Sequence, residues 1–228
     1  VIGGDEGALR QLLPGVKCVG RRHRVYLYRG AEYTLSAAAT IEADLLLRDL
    51  TINALAETAD GDLIGASGAL ADLRAKILRP VADQNFFNDP LRVIRAARFS
   101  AQLPEFVVHA ELRQVMGQVG ASGHLARVSA ERVGNEVRLA MASPRPSNFI
   151  RLLTVCDALR PWFVEWGGNA TCASTSPVHD HESAMAHTMT VMDRLAGTPL
   201  AVWMAACHAL GGIRSEGETR HPHHVHLH

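Results

Sequence analysis

Asp89 and Arg92 stand three residues apart on either side of Pro90-Leu91, and Arg95 and Arg98 continue the series at the same step. On a helix, residues three apart sit side by side. A carboxylate only accepts hydrogen bonds and a guanidinium only donates them, so Asp89 and Arg92 can present acceptor and donors in a fixed order. That order suits the Watson–Crick edge of cytosine, an amino donor followed by ring acceptors, or of adenine, an amino donor followed by one ring acceptor. Spacing alone fits equally a capped helix with a local ion pair.

A second polar group lies inside an apolar stretch, where Arg48, Asp49 and Asn53 interrupt Leu45-Leu46-Leu47, Leu50 and Ile52. Polar side chains persist in such surroundings when something hydrogen-bonds them, whether a structural partner or the phosphate and sugar of a ligand. A third group is histidine-rich: His179, His181, His187 and His208, then the tail from His221 to His228. Imidazoles at this density raise a metal-site reading.

The elements that must carry these groups can be read from pattern. Asp89 and Pro90 read as a helix start, the carboxylate capping free N–H groups and the proline sitting at the first helical position. Val93, Ile94, Ala97 and Ala101 then share one face and Arg92 and Arg95 the other. Upstream, Asp5 caps a short helix through Leu13. Val25-Tyr26-Leu27-Tyr28 and Tyr33-Thr34-Leu35-Ser36 form a hairpin across Arg29-Gly30-Ala31-Glu32. Asp44–Ala56 reads as a helical turn running into a strand, returned at Leu63-Ile64 through the Asp60-Gly61 turn. Downstream the pattern is helical: near Ala110–Gln118, then Ser129–Ala140 with Val133, Val137, Ala140 and Met141 as its apolar stripe, then from an Asn148 cap through Leu159. The fold class expected is α+β, a small sheet followed by an all-helical part, with boundaries placed at 1–82, 83–145 and 146–228.

Composition narrows the classes. The chain has 228 residues, 47% hydrophobic and 20% charged, ordinary for a globular protein with a sizeable core. Its 23 basic and 23 acidic residues leave a formal net charge of +0, so any nucleic-acid binding must come from a local patch. Cys18, Cys156, Cys172 and Cys207 are scattered, with neither zinc-ribbon nor disulfide spacing, which fits a reducing cytoplasm. No apolar run approaches the ~20 residues of a membrane span, so a cytoplasmic protein without membrane contact is expected.

The arginine series resembles the nucleotide-selecting motif of the bacterial-type tRNA nucleotidyltransferases (CCA-adding enzymes) and their poly(A) polymerase relatives, Glu-Asp-Pro-Leu-Arg-x-x-Arg-Ala-x-Arg-Phe. Asp89, Pro90, Leu91, Arg92, Arg95, Arg98 and Phe99 match it, and Asn88 stands for the Glu. Arg48, Asp49 and Asn53 are similar to the family's Arg-Arg-Asp-Phe-Thr-Ile-Asn-Ala-Leu motif around the bound nucleoside triphosphate, with Leu47 in place of the first arginine. Gly68, Asp72, Leu73, Leu78 and Arg79 resemble its head-to-neck linking motif, where Gly65 replaces Asp. Ser129, Glu131, Arg132, Val133 and Glu136 resemble its neck motif, which implies a bracing role for Glu131, Arg132 and Glu136. His187 and His208 resemble the metal-dependent phosphohydrolase (HD) domain attached to some of these enzymes. Ala209 and Gly212 replace the aspartate and lysine of that domain's second cluster, so a degenerate helical remnant without that chemistry is expected.

The resemblance implies template-independent addition of CMP and AMP from CTP and ATP to a tRNA 3′ end, assisted by magnesium. The family's metal ligands are an Asp-x-Asp pair on a head-domain strand, and Val1-Ile2-Gly3 aligns with the residues just after that pair. This chain alone is therefore expected to be inactive, with no catalytic residue of its own. The readings open at this point are a shortened chain, one half of a split enzyme whose partner subunit supplies the carboxylates, and a non-catalytic nucleotide- or RNA-binding relative.

Overall fold

The computed structural model describes residues 5–19, 24–58, 60–168, 184–208 and 210. The architecture is mixed α/β, with small sheets at the start of the chain and helices after them, in accord with the expected class. Helix α1 (Glu6–Leu12) is capped by Asp5, whose carboxylate accepts from Ala8 N–H at 2.7 Å. Strands β1 (Lys17–Val19), β2 (Val25–Tyr28) and β3 (Ala31–Tyr33) form an antiparallel sheet in that order. The β2–β3 hairpin is tighter than its sequence suggested. Tyr28 pairs with Ala31, and the turn is two residues, Arg29 and Gly30, both at positive φ (49° and 82°), the geometry whose twist matches that of the strands. Leu9, Val16 and Tyr26 make a small apolar cluster of their own between α1 and this sheet.

Helix α2 (Ile41–Leu46) leads through a 3₁₀ turn at Thr51–Asn53 into the antiparallel pair β4 (Leu55–Glu57) and β5 (Leu63–Gly65). Then come α3 (Ala69–Ala75) and β6 (Ile77–Leu78), which pairs in parallel with β7 (Val107–Val108). Thr51, Asp72 and Arg79 tie this region together: the Thr51 hydroxyl donates to Asp72 at 2.9 Å, and Arg79 Nε reaches the same carboxylate at 3.0 Å.

Helix α4 (Asp83–Asn88), which periodicity did not indicate, ends on Asp89, and α5 (Leu91–Gln102) begins at once. The remaining helices are α6 (Ala110–Ala121), α7 (Ala130–Met141), α8 (Ser147–Val155), α9 (Val164–Gly168), α10 (Ala184–Arg194) and α11 (Pro199–His208). One apolar core runs through them, from Leu50, Leu78 and Phe86 to Met192 and Ala206. Helix α5 is its axis, packed against α7 on one side and α8 on the other. Its predicted face (Val93, Ile94, Ala97, Ala101) is buried, and Arg98 is buried with it.

Two predicted caps are corrected. Pro90, in helical conformation, takes the N-cap place of α5, and the Asp89 carboxylate caps nothing because an arginine on α7 claims it. Helix α8 begins at Ser147, whose N–H and hydroxyl donate to Asp193 at 3.1 and 2.7 Å, while Asn148 Nδ2 instead reaches the Ser100 carbonyl at 3.0 Å. The same helix stops at Val155 rather than Leu159. Asp157 adopts positive φ (50°) and Ala158 N–H closes back on the Leu153 carbonyl at 2.8 Å, a turn that terminates helices. Among the described residues no helix is long and apolar enough to cross a membrane.

Candidate functional site: an arginine-lined cleft

Between α2, α5, α7 and the segment Thr34–Ala37 lies an open cleft of about 1160 Å³. Its walls include Arg48, Asp49, Asn53, Asp89, Arg92, Arg95, Arg132 and Glu136, so one surface gathers most of the residues that three separate motifs singled out. Arg98 lies behind it. Glu131, on the first turn of α7, is exposed to solvent and is not drawn into this network.

Two of the carboxylates are fully engaged from within the protein. Asp49, 5% exposed, accepts from its neighbour's Leu50 N–H at 2.9 Å, from Asn53 Nδ2 at 3.1 Å and from Arg95 Nε at 2.8 Å. Burial pushes its pKa up, but Arg95, Asn53 and the Leu50 N–H outweigh that and hold the carboxyl below the usual range. Asp44 accepts from the Ser36 hydroxyl at 2.6 Å and from both Nε and Nη2 of Arg48, at 3.0 and 2.5 Å. The α2 ion pair arises from i,i+4 spacing, which the sequence displays as Asp44 and Arg48.

Glu136 on α7 anchors the arginines of α5. It pairs with Arg98 Nε at 2.5 Å and with Arg95 Nη1 at 3.5 Å. Arg98 also donates to Gln102 one turn on. Both guanidinium groups also lie over Phe99, with Arg98 4.0 Å and Arg95 5.8 Å from its ring centre, cation–aromatic contacts that help hold the two side chains. Phe99 and Asp44 belong to the site although sequence reasoning assigned neither a role.

The pair at the head of α5 is arranged differently from a local ion pair. Asp89 Oδ2 is held by Arg132 Nη2 at 2.7 Å, across from α7. Arg92 forms no ion pair with Asp89, and its Nη1 is buried without a hydrogen-bond partner. Burial pulls the Arg92 guanidinium down from its ordinary pKa, against the attraction of Asp49 and Asp89, with Arg95 and Arg48 adding repulsion. An unmet buried guanidinium N–H is costly; the Arg92 side chain forms part of the cleft wall, with this nitrogen turned away from solvent.

At the other end of the molecule, the His187 and His208 rings lie edge to face 5.8 Å apart, between α10 and α11. His208 Nδ1 is 2.6 Å from the Ala205 carbonyl. His179, His181, Ala209, Gly212 and the tail histidines lie outside the described residues. Among the described residues, no three His, Cys, Asp or Glu side chains are grouped as a metal would need.

Known proteins resemble this chain in sequence and in fold. Residues 18–79 match the Poly A polymerase head domain. Over 206 residues the chain is 37% identical to the Multifunctional CCA protein of Ectopseudomonas mendocina, covering 87% of this chain and 50% of that protein. With the Vibrio parahaemolyticus Multifunctional CCA protein the identity is 38% over 207 residues, covering 88% and 50%. The chain thus spans about half the length of the curated relatives it matches. Among solved structures, the Bacillus stearothermophilus CCA-adding enzyme in complex with CTP superposes with a TM-score of 0.69 at 25% identity, over 90% of this chain and 51% of that one. The Thermotoga maritima CCA-adding enzyme, solved with tRNA, shares the fold with a TM-score of 0.62 at 21% identity, over 94% and 54%.

Proposed function

We propose, on the premise that the chain is a relative of the CCA-adding enzymes and poly(A) polymerases, that its cleft binds CTP or ATP and selects the base through Asp89 and Arg92. In the relatives' reaction the selected nucleotide is transferred as CMP or AMP to a tRNA 3′ end. The observation that carries the reading is that Asp89 and Arg92 both line the cleft without an ion pair between them, Asp89 with one oxygen committed to Arg132 and Arg92 with its Nη1 unpartnered. The acceptor suits the exocyclic amino group of cytosine or adenine, and the donor suits the adjacent ring nitrogen. Uracil and guanine present a carbonyl oxygen to the carboxylate and an N–H to the guanidinium, so both contacts turn repulsive. In this reading Arg48, at the mouth, meets the triphosphate by leaving Asp44, and Arg95 and Arg98 hold α5 through Asp49 and Glu136.

Magnesium, which the family implies, does not fit the side chains of this cleft. Asp44 and Asp49 are already committed to Ser36, Arg48, Asn53 and Arg95, Glu136 to Arg95 and Arg98, and Asp89 to Arg132, and among the described residues no three such side chains are grouped to hold a metal. No step is therefore derived through a metal, and the part assigned to these residues is binding and base selection. That division also keeps open a purely nucleotide- or RNA-binding role, favoured by the commitment of these carboxylates. In either case residues 1–82 correspond to the head, 83–145 to the neck and 146–228 to the body.

Asp89→Ala and Arg92→Ala test the assignment. Each is expected to reduce discrimination of CTP and ATP against UTP and GTP by roughly 1–3 kcal/mol, the penalty a hydrogen-bonding site imposes on a mismatched edge. Equilibrium binding of the four nucleotides to each variant is the measurement. Base preference unchanged in both would reduce the pair to structural roles.

A further inference from the structure

Asn85 lies on α4, 6% exposed, and sequence reasoning assigned it nothing. Its Nδ2 donates to two main-chain carbonyls far back in the chain, Leu46 at 2.8 Å and Arg48 at 2.9 Å. Both N–H groups of the amide are thereby used, and two carbonyl acceptors require the nitrogen rather than the oxygen to face them. These carbonyls lie where α2 ends. A helix leaves its last carbonyls unmet, and α2 has no basic residue in its last turn to answer them. Further on, the segment is held by main chain: Thr51 N–H donates to the Arg79 carbonyl at 3.0 Å, and Val81 N–H to the Asp49 carbonyl at 3.1 Å. Asn85 adds a side-chain clamp on either side of Leu47. Its own carbonyl accepts from Asp89 N–H at 3.2 Å, so one residue joins the segment bearing Arg48 to the turn bearing Asp89.

We propose that Asn85 is a positioning residue for the triphosphate end of the nucleotide: by clamping the carbonyls that flank Leu47 it fixes the main chain from which Arg48 reaches the cleft, and so sets the span between that guanidinium and the Asp89–Arg92 pair. Asn85 is not part of the cleft wall, whereas Arg48 is, and it acts through Arg48. A nucleotide carries base and phosphates at a separation its sugar restricts, so contacts at the two ends reinforce each other when the protein holds that separation in advance. Without Asn85 the two carbonyls lose their donors, the main chain at Leu47 and Arg48 shifts to meet water, and the charge-assisted contact to phosphate weakens. Asp89 and Arg92 keep their places, so the choice of base persists while affinity falls. This inference rests on the nucleotide reading above.

The test is equilibrium titration of CTP and of UTP, followed by NMR, into the 228-residue chain, its Asn85→Leu and Arg48→Ala variants and the double variant, with thermal melting of each. Asn85→Leu is expected to weaken CTP and UTP alike by about tenfold, leaving the preference for CTP in place, and Arg48→Ala to do the same. The double variant should bind CTP within about twofold of Arg48→Ala, since nothing remains for Asn85 to position. A merely structural role predicts instead that the two losses multiply and that base preference fades with affinity. Should Asn85→Leu not fold, Asn85→Ser, which keeps one donor and admits water to the other carbonyl, takes its place, with a loss of about threefold that Arg48→Ala again masks. Unchanged CTP affinity in the folded variant, or a loss that multiplies with that of Arg48→Ala, would overturn this inference and leave the nucleotide reading standing. Equal affinities for CTP and UTP in the unaltered chain would overturn both.

Discussion

Asp49 shows how a single residue serves the cleft by being unavailable to it. Three donors hold its charge in a buried place, and their combined effect keeps the carboxyl below its ordinary pKa. A group whose pKa is depressed on folding contributes stability that is complete above its unfolded value and is lost as pH falls through the folded one. Asp49 therefore stabilises the fold fully above about pH 4 and loses that contribution progressively as the pH falls below it. Melting temperatures of the wild-type chain and Asp49→Asn should differ most near neutrality and converge on acidification; a gap that stays constant down to about pH 2.5, well below an ordinary aspartate pKa, would show that charge at this position is immaterial. Cys156 illustrates the reverse case. Burial pushes its thiol up to about 11, so peptide mapping after alkylation at about pH 8, near an ordinary thiol pKa, should find it unmodified in the native protein and modified only after unfolding. Asp49 and Arg95 were visible in the sequence as polar intrusions and as part of a motif. Their mutual bond was not, because it joins positions 46 residues apart and only the packing of α5 beside the Leu50 turn creates it.

At the scale of elements, α5 does the positioning, and its role was legible because its apolar face and its arginines obey one helical period. The β2–β3 hairpin, α1 and its Asp5 cap, and the order of elements from Asp44 to Ile64 were legible for the same reason: local propensity and tertiary demand agree there. Helix α4 was not, since its six residues, Asp83–Asn88, are too few to display a period. Nor was the fate of the Asp89 carboxylate, where a local capping preference loses to a charged partner on α7. Where elements press together, backbone proximity sets the limit. A Cβ on Gly120 of α6 would lie 2.9 Å from the Asp157 carbonyl oxygen and 3.2 Å from Ala158 Cα, both main-chain atoms of the turn that ends α8. Gly120→Ala, though favourable to helix propensity, should therefore destabilise the chain by about 1–3 kcal/mol, read by urea denaturation. Unchanged or raised stability would mean that α6 and this turn can separate at little cost.

For the molecule as a whole, a formal net charge of +0 leaves recognition of a charged ligand to local surfaces, and the cleft is the one proposed for it. Its polar groups are balanced against each other around α5: Asp49 with Arg95, Glu136 with Arg95 and Arg98, Asp89 with Arg132, Asp44 with Arg48. Arg92 is the cleft arginine with a buried N–H left unmet, and the proposed base selection rests on Asp89 and Arg92 together. The most direct measurement is the affinity of the unaltered chain for CTP, ATP, UTP and GTP under identical buffer and salt, by isothermal titration. The expected result is that CTP and ATP bind and that UTP and GTP bind at least about tenfold more weakly, the equivalent of about 1.4 kcal/mol. Four equal affinities, or tighter binding of UTP or GTP, would contradict it.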